Sequence, residues 1–281
     1  MKEEARKRNL KSAVITFPLH PGKVINPNRH IDHLTLKDEK IELLSETGVD
    51  YCFLLNFSKE LSMFSAKEFM SEILKKRFNV DTLVIGYDHR FGHNRADGFD
   101  QYVAYGKELG IKVLQSEAYT DLEVGETISS SVIRQGIEDG AVGLVNKLLG
   151  YSYFVNGTVI HGKELGRTIG FPTANIQVVN GDKMVPKDGV YAVRVAIEGD
   201  NEKYWGMLNI GHRPTINNGC NRSIEVNIFD FNKDIYDREI RLSFVQRLRA
   251  EVRFESIDKL VEQLHKDEAS VRTVMKNLME Q

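Results

Sequence analysis

The chain has 281 residues, of which 41% are hydrophobic and 28% charged, and its formal net charge is −2. That length accommodates two domains with cores of their own, and the even charge balance excludes the basic excess that marks a nucleic-acid binder. No apolar run approaches the ~20 residues needed to span a bilayer, and the start MKEEARKRNLK lacks the apolar stretch of a signal peptide. A cytoplasmic protein with no membrane partner is expected. The two cysteines, Cys52 in the apolar run YCFLL and Cys220 in a polar loop, have no metal-ligand spacing. They predict no structural disulfide, and Cys52 reads as a small core residue.

Residues 1–10 read as the end of a charged helix, and SAVITF at Ser12–Phe17 as a short buried strand followed by the breaker-rich PLHPGKVINPN. Leu36, Ile41, Leu43 and Leu44 have helical spacing, with Gly48 as the stop. Tyr51–Leu55 is a second strand, and Ser65–Phe78 a helix that Ser65 and Glu68 open as a capping box. TLVIG at Thr82–Gly86 is a third strand, Phe99–Leu109 a helix ending at Gly110, and Ile111–Leu114 a fourth strand. Strands alternating with helices, each strand a continuous apolar run, predict a parallel α/β sheet. Ligands of such sheets bind beyond the carboxyl ends of the strands. PLHPGK, YDHRFGHNR and GETISSSVIR follow the first, third and fourth strands.

Asp139–Leu149 continues helically to Gly150, and the domain boundary is placed near 150, giving domains of residues 1–150 and 151–281. Beyond it Phe154–Ile160, Tyr191–Ile197, Tyr204–Leu208, Ser223–Phe229 and Glu239–Leu248 are β-branched or alternating runs. The turns NGDK, KDG, EGDN and NNG lie among them, as in antiparallel hairpins. Five or six such strands predict a small closed barrel, with Ile257–Leu278 as an amphipathic helix packed outside it.

Chemistry concentrates in His161–Asn175, HGKELGRTIGFPTAN, which holds three glycines, one lysine, one arginine and a Pro-Thr-Ala-Asn turn. Gly162, Gly166 and Gly170 let backbone approach a bulky ligand, and successive N–H groups in such a loop can cradle phosphate oxygens. Lys163 and Arg167 add positive charge, and Thr173 and Asn175 offer neutral oxygens suited to Mg²⁺ held jointly with ATP. The spacing matches neither GxxxxGK[ST] nor GxGxxG. The residues alone therefore leave two readings, a nucleotide site or a Gly-rich turn before a strand. Two readings also stand for Glu225 in RSIEVNIFDF, a solvent-facing strand residue or a catalytic carboxylate, and for ISSSVIR at 128–134, an N-cap run or an anion site.

HGKELGRTIGFPTAN closely resembles the signature of riboflavin kinases, and the likeness extends over nearly the whole chain to the bacterial bifunctional riboflavin kinase/FMN adenylyltransferases. The resemblance implies a nucleotidylyltransferase-like α/β domain followed by a riboflavin kinase barrel. Riboflavin, ATP and FMN are then the ligands, with Mg²⁺ accompanying ATP. It makes Glu225 the general base for the ribityl 5′-hydroxyl. It gives Thr173 and Asn175 the metal, and Gly162, Lys163, Gly166 and Arg167 the ATP phosphates, Arg167 in direct contact or as a brace of the loop. RLRAE at 247–251 resembles the family's flap near the flavin, where Arg247 and Arg249 either guide a ligand or are surface charges. Asn209 and Arg213 in NIGHRPT match a family stretch without an assignable chemical role. In the first domain ISSSVIR resembles the ISSTxIR motif that holds ATP phosphates, through Ser129, Ser130 and Arg134. GYDHRFGHNR supplies Asp88, Arg90 and Phe91 at corresponding places.

One departure concerns the start. Family members open with a strand and an HxGH loop whose histidines act on the ATP phosphates, and neither is found in these 281 residues. An incomplete first sheet and weak FAD synthesis are the resulting expectations. A misplaced start codon, a gene fragment and a kinase-only lineage all fit them. The rival readings are a fully bifunctional enzyme with a longer true N-terminus and a non-catalytic flavin- or nucleotide-binding regulator.

Overall fold

Contacts divide the chain into two compact units, Met1–Thr127 and Ile128–Gln281. In this computed structural model the described residues are 1–26, 28, 32–120, 125, 127–162, 165–178, 181–213 and 221–280, without the side chains of Arg213 and Asn221. Lys163, Cys220 and the NNG turn lie outside them, as does part of NGDK.

The first unit runs α1 (Lys2–Lys7), β1 (Ala13–Thr16), α2 (Pro21–Ile25), α3 (Lys37–Glu46), β2 (Tyr51–Leu54), α4 (Lys59–Ser62) and α5 (Ala66–Glu68). α5 continues as a π-helix over Phe69–Arg77, followed by β3 (Thr82–Ile85), a 3₁₀ turn at His93–Arg95, α6 (Phe99–Leu109) and β4 (Lys112–Gln115). Local chemistry sets these limits. Ser65 Oγ accepts from Glu68 N at 3.2 Å while Glu68 Oε2 accepts from Ser65 N at 2.8 Å, the capping box expected there. Gly110 ends α6 in the left-handed region, at φ 63°.

Both ladders of this unit are parallel, β1 with β2 from Ala13↔Tyr51 and β3 with β4 from Thr82↔Lys112. They form two separate two-stranded sheets among the described residues, the parallel α/β class expected for this part. Side chains rather than a ladder join the two pairs. Ile15 of β1 packs on the cluster of Ala66, Met70, Leu74, Ile85, Tyr102 and Ile111. α1 and the residue after it reach β3 and β4 through ion pairs Arg8–Asp81 and Glu4–Lys112, at 2.7 and 2.6 Å. Parallel strands covered on both faces are normally buried, yet in β1–β4 only Ile85 is.

The second unit runs α7 (Ser130–Asp139), α8 (Val142–Leu149), β5 (Phe154–Ile160), α9 (Leu165–Thr168), β6 (Ala174–Val178), β7 (Gly189–Ile197), β8 (Lys203–Arg213), β9 (Asn221–Ile228), β10 (Glu239–Arg249) and α10 (Ile257–Met279). Its six strands close an antiparallel barrel in the order β10-β5-β6-β9-β8-β7. Alternate positions such as Tyr191, Val193, Leu208, Ile210, Val226 and Leu242 are fully buried. On the other face Ala192, Trp205 and Met207 join Phe171 and Phe229 beneath Val271 of α10, the outer packing expected for that helix.

Two expectations need correction here. The helical stretch before the barrel is broken, because Gly140 takes φ 77° and separates α7 from α8. The Pro-Thr-Ala-Asn turn is also half strand: Ala174 and Asn175 open β6, drawn out by ladders to β5 and β9 on either side. The change from helix to strand falls after Gly150, whereas contacts group residues 128–150 with the barrel. Asn146 Nδ2 donates to Phe244 O and its Oδ1 accepts from Tyr153 N, both at 2.8 Å. Lys187 N donates to Ile137 O of α7 at 3.1 Å.

Candidate active site

Strand register builds the centre of the site. Asn175 of β6 lies opposite Glu225 of β9, Glu225 opposite Asn209 of β8, Asn209 opposite Val190 of β7, and Val190 opposite Arg249 of β10. Directly paired residues point their side chains to the same face, with Cβ atoms ~4.5–5.5 Å apart. Five strands therefore present Asn175, Glu225, Asn209, Val190 and Arg249 abreast. They share the face of Met207 and Ala192, each two residues along, that α10 covers farther on.

The glycine loop closes over one end of this row. A Cβ on Gly162 would stand 1.9 Å from Asn175 Nδ2, so only glycine lets the loop pass this close to the amide. A Cβ on Gly166 would stand 2.2 Å from Phe171 O and 3.4 Å from Thr173 Oγ1. The loop is held by Phe171 N donating to Gly166 O at 2.8 Å, by burial of the Phe171 ring, and by His161 stacked on Tyr236 with ring centroids 3.9 Å apart. Thr173 and the buried Asn175 carry neutral, hard oxygens beside the backbone of Gly166 and Gly162. That donor set fits a divalent cation carried with phosphates. Arg167 is exposed on α9.

Asn227, which sequence reading passed over, lies beside the candidate site. It is 8% exposed, two positions beyond Glu225 on the same face, and its Nδ2 donates to Pro172 O at 2.7 Å. It thereby fixes the turn from which Thr173 and Asn175 emerge. A polar residue at an alternate position of IEVNIF was the available signal.

Arg247 and Arg249 are both engaged within the protein. Arg247 donates through Nη2 to Asp188 O at 2.6 Å, and its stem fills the space at Gly140, where a Cβ would stand 2.7 Å from its Cδ. Its Nε is buried with no hydrogen-bond partner among the described residues. Arg249 makes a forked pair with Asp267 of α10, Nε to Oδ1 at 2.9 Å and Nη2 to Oδ2 at 2.6 Å, and Gln263 Nε2 also donates to Asp267 at 2.9 Å.

The candidates of the nucleotidylyltransferase-like part fall in different compact units. Asp88 and Arg90 are exposed on the segment after β3. That segment is anchored by Phe91, stacked on Tyr102 at 4.4 Å, and by Gly92 at φ 89°, where a Cβ would stand 2.5 Å from Ala66 N. Ser129 N-caps α7, accepting from Val132 N at 3.3 Å, Ser130 is the first residue of that helix, and Arg134 Nη1 donates to Ser130 O at 3.3 Å. The N-cap reading of ISSSVIR is thus realised, and Ser130 and Ser131 of its first turn are exposed.

Comparison with known proteins divides the chain slightly later than the contacts do. A family model for riboflavin kinase matches residues 149–275, and one for FAD synthetase matches residues 1–132. The bifunctional riboflavin kinase/FMN adenylyltransferase of Escherichia coli strain K12 is 37% identical over 272 residues, covering 97% of this chain and 85% of that protein. Its Bacillus subtilis strain 168 counterpart is 35% identical over 280 residues, covering 99% and 86%. Among solved structures, a crystal structure described as a macrolide-efflux protein from Streptococcus pneumoniae has a TM-score of 0.87 at 35% identity, covering 96% of this chain and 86% of that one. No helix of the described residues is long and apolar enough to cross a membrane. Matched over nearly its whole length by such relatives, the chain belongs to the bifunctional riboflavin kinase/FMN adenylyltransferase family.

Proposed function

We propose that the barrel transfers the γ-phosphoryl group of MgATP to the ribityl 5′-hydroxyl of riboflavin, giving FMN. The observation that carries this reading is the row Asn175–Glu225–Asn209 with Gly162 closed over its first member. Phosphoryl transfer asks little covalent chemistry of a protein and much positioning and charge neutralisation. Glu225 accepts the hydroxyl proton as that oxygen attacks. The backbone around Gly162 and Gly166, with Lys163, holds the phosphates. Thr173 and Asn175 hold the cation that accompanies them, Mg²⁺ in our reading, which supplies charge neutralisation when bound. Arg167 braces the loop. Arg247 and Arg249 act as braces of β10, toward α7 and α10, because their guanidinium groups are already committed to protein partners.

We assign the family's second activity, adenylylation of FMN, to the nucleotidylyltransferase-like part, with Asp88, Arg90, Ser129, Ser130 and Arg134 as nucleotide or flavin contacts. A cytoplasmic setting, where ATP is available, goes with both reactions. The test is to incubate the 281-residue chain with riboflavin, ATP and Mg²⁺ and separate the products by chromatography, with a parallel incubation starting from FMN. FMN formed from riboflavin supports the kinase reading, and its absence contradicts it. FAD formed from FMN supports the second assignment independently.

A further inference from the structure

We propose that Asn209 holds the acceptor's hydroxylated side chain next to Glu225, as a specificity-determining contact to a polyol hydroxyl. The inference rests on the kinase reading above. Asn209 is half-buried, paired with Glu225 on one side and with the buried Val190 on the other. Among the described residues its amide has no hydrogen-bond partner. An amide offers two donors and a carbonyl acceptor, and half-buried polar groups ordinarily find partners in protein or solvent. The row gives this one a task. ATP enters on the Asn175 side, under Gly162, so in-line attack brings the acceptor from the opposite side of Glu225, which is the Asn209 side. Adjacent strands are ~4.8 Å apart, a span that a neighbouring hydroxyl of the same chain bridges when the terminal hydroxyl sits at Glu225.

The surroundings also select the chemical class. Glu225 flanks Asn209 across the ladder, and the Glu251 carboxylate lies over Gly211, where a Cβ would stand 2.0 Å from its Oε1. The cation at the end of the row, Arg249, is tied to Asp267. A neutral amide beside one carboxylate, with a second over Gly211 two residues along the strand, favours a neutral hydroxyl-bearing chain over a phosphate or carboxylate.

The test is a cycle of residue against substrate. FMN-forming kinetics of the wild-type chain and Asn209→Ala are measured with riboflavin and with its 3′-deoxy and 4′-deoxy analogues. We expect wild type to lose roughly tenfold in kcat/KM on one analogue, the size of one neutral hydrogen bond. Asn209→Ala should lose about as much with riboflavin, chiefly in KM, and nothing further with that analogue. The KM for ATP should stay within about twofold, since this contact is made to the acceptor. An unchanged kcat/KM of Asn209→Ala with riboflavin, or equal losses on all three acceptors, overturns the proposal. Asn209→Ser, which keeps one hydroxyl, carries the same cycle if the alanine variant unfolds. A wild-type chain that makes no FMN removes the kinase reading and this inference with it, whereas an active wild type with uniform penalties removes this inference alone.

Discussion

The barrel and the N-terminal unit satisfy their strand edges in different ways. Each of the six barrel strands has a neighbour on both sides, although the ladder between β6 and β9 is only two residue pairs long. Each of β1–β4 has one neighbour among the described residues. Burial follows the same division: Tyr191, Val193 and Val195 of β7 are 0% exposed, whereas only Ile85 is fully buried in β1–β4. Site residues inherit the difference. Asn175, Glu225 and Asn209 are placed by ladders whose partners are themselves paired, while Asp88 and Arg90 stand exposed on a connecting segment.

The broadest way to break this comparison is amide hydrogen exchange. Local opening ranges from almost no cost at frayed elements to the whole unfolding free energy in a core. Amides of β7 and β8 should exchange on the order of 10³-fold more slowly than those of β1–β4. Equal protection in the two units would remove the contrast.

Next in size is the pair that ties β10 to α10. Asp267 is 3% exposed, so Arg249→Met leaves a buried carboxylate with Gln263 as its remaining side-chain donor. That should lower stability by about 3 kcal/mol in urea unfolding. Replacing Asp267 by Leu in the same chain should recover part of the loss, because the stranded charge and not the missing attraction is the larger cost.

Asn227→Ala sharpens the comparison within the barrel. It strands the Pro172 carbonyl, at about 2 kcal/mol, and loosens the turn bearing Thr173 and Asn175. Steady-state kinetics should show a raised KM for ATP with little change in that for riboflavin.

The smallest effect concerns acid. Asp200, in the connection between β7 and β8, has its pKa lowered from 3.8 to about 2, first by the hydrogen bond from Lys233, then by those from Glu202 N and Tyr204. A depressed carboxylate stabilises the fold above its unfolded pKa and loses that contribution as pH falls through its folded one. Thermal midpoints of wild type and Asp200→Asn should therefore differ by a constant amount above about pH 4 and converge between about pH 4 and 2. A gap that does not shrink between about pH 4 and 2 would contradict the pairing.

Legibility in the sequence followed locality. The helix at 99–109 and the box at Ser65–Glu68 depend on neighbours a few residues away, and both were read to within a residue. β6 was not read, because ANIQV is short and mixed and becomes a strand only through pairing with β5 and β9. Asn175 was singled out by its own chemistry and Glu225 by resemblance, but their apposition is a matter of register across fifty residues. Asn227 shared Glu225's face by simple alternation, yet its worth lay in a carbonyl at Pro172 that no local pattern points to. Arg249 was left as either a ligand guide or a surface charge because its partner, Asp267, lies on a different element. The division of the parallel strands into two pairs was equally hidden, since periodicity indicates which face a strand buries and not which strand stands beside it.

The most direct test of the account is Glu225→Gln, an isosteric change that keeps hydrogen-bonding capacity and removes the base. With riboflavin and MgATP at saturation, FMN formation should fall roughly 10²–10⁴-fold, while riboflavin still binds as read by quenching of its fluorescence. Near-wild-type turnover in the glutamine variant would contradict the assignment of Glu225, and with it the row of residues on which the proposed function rests.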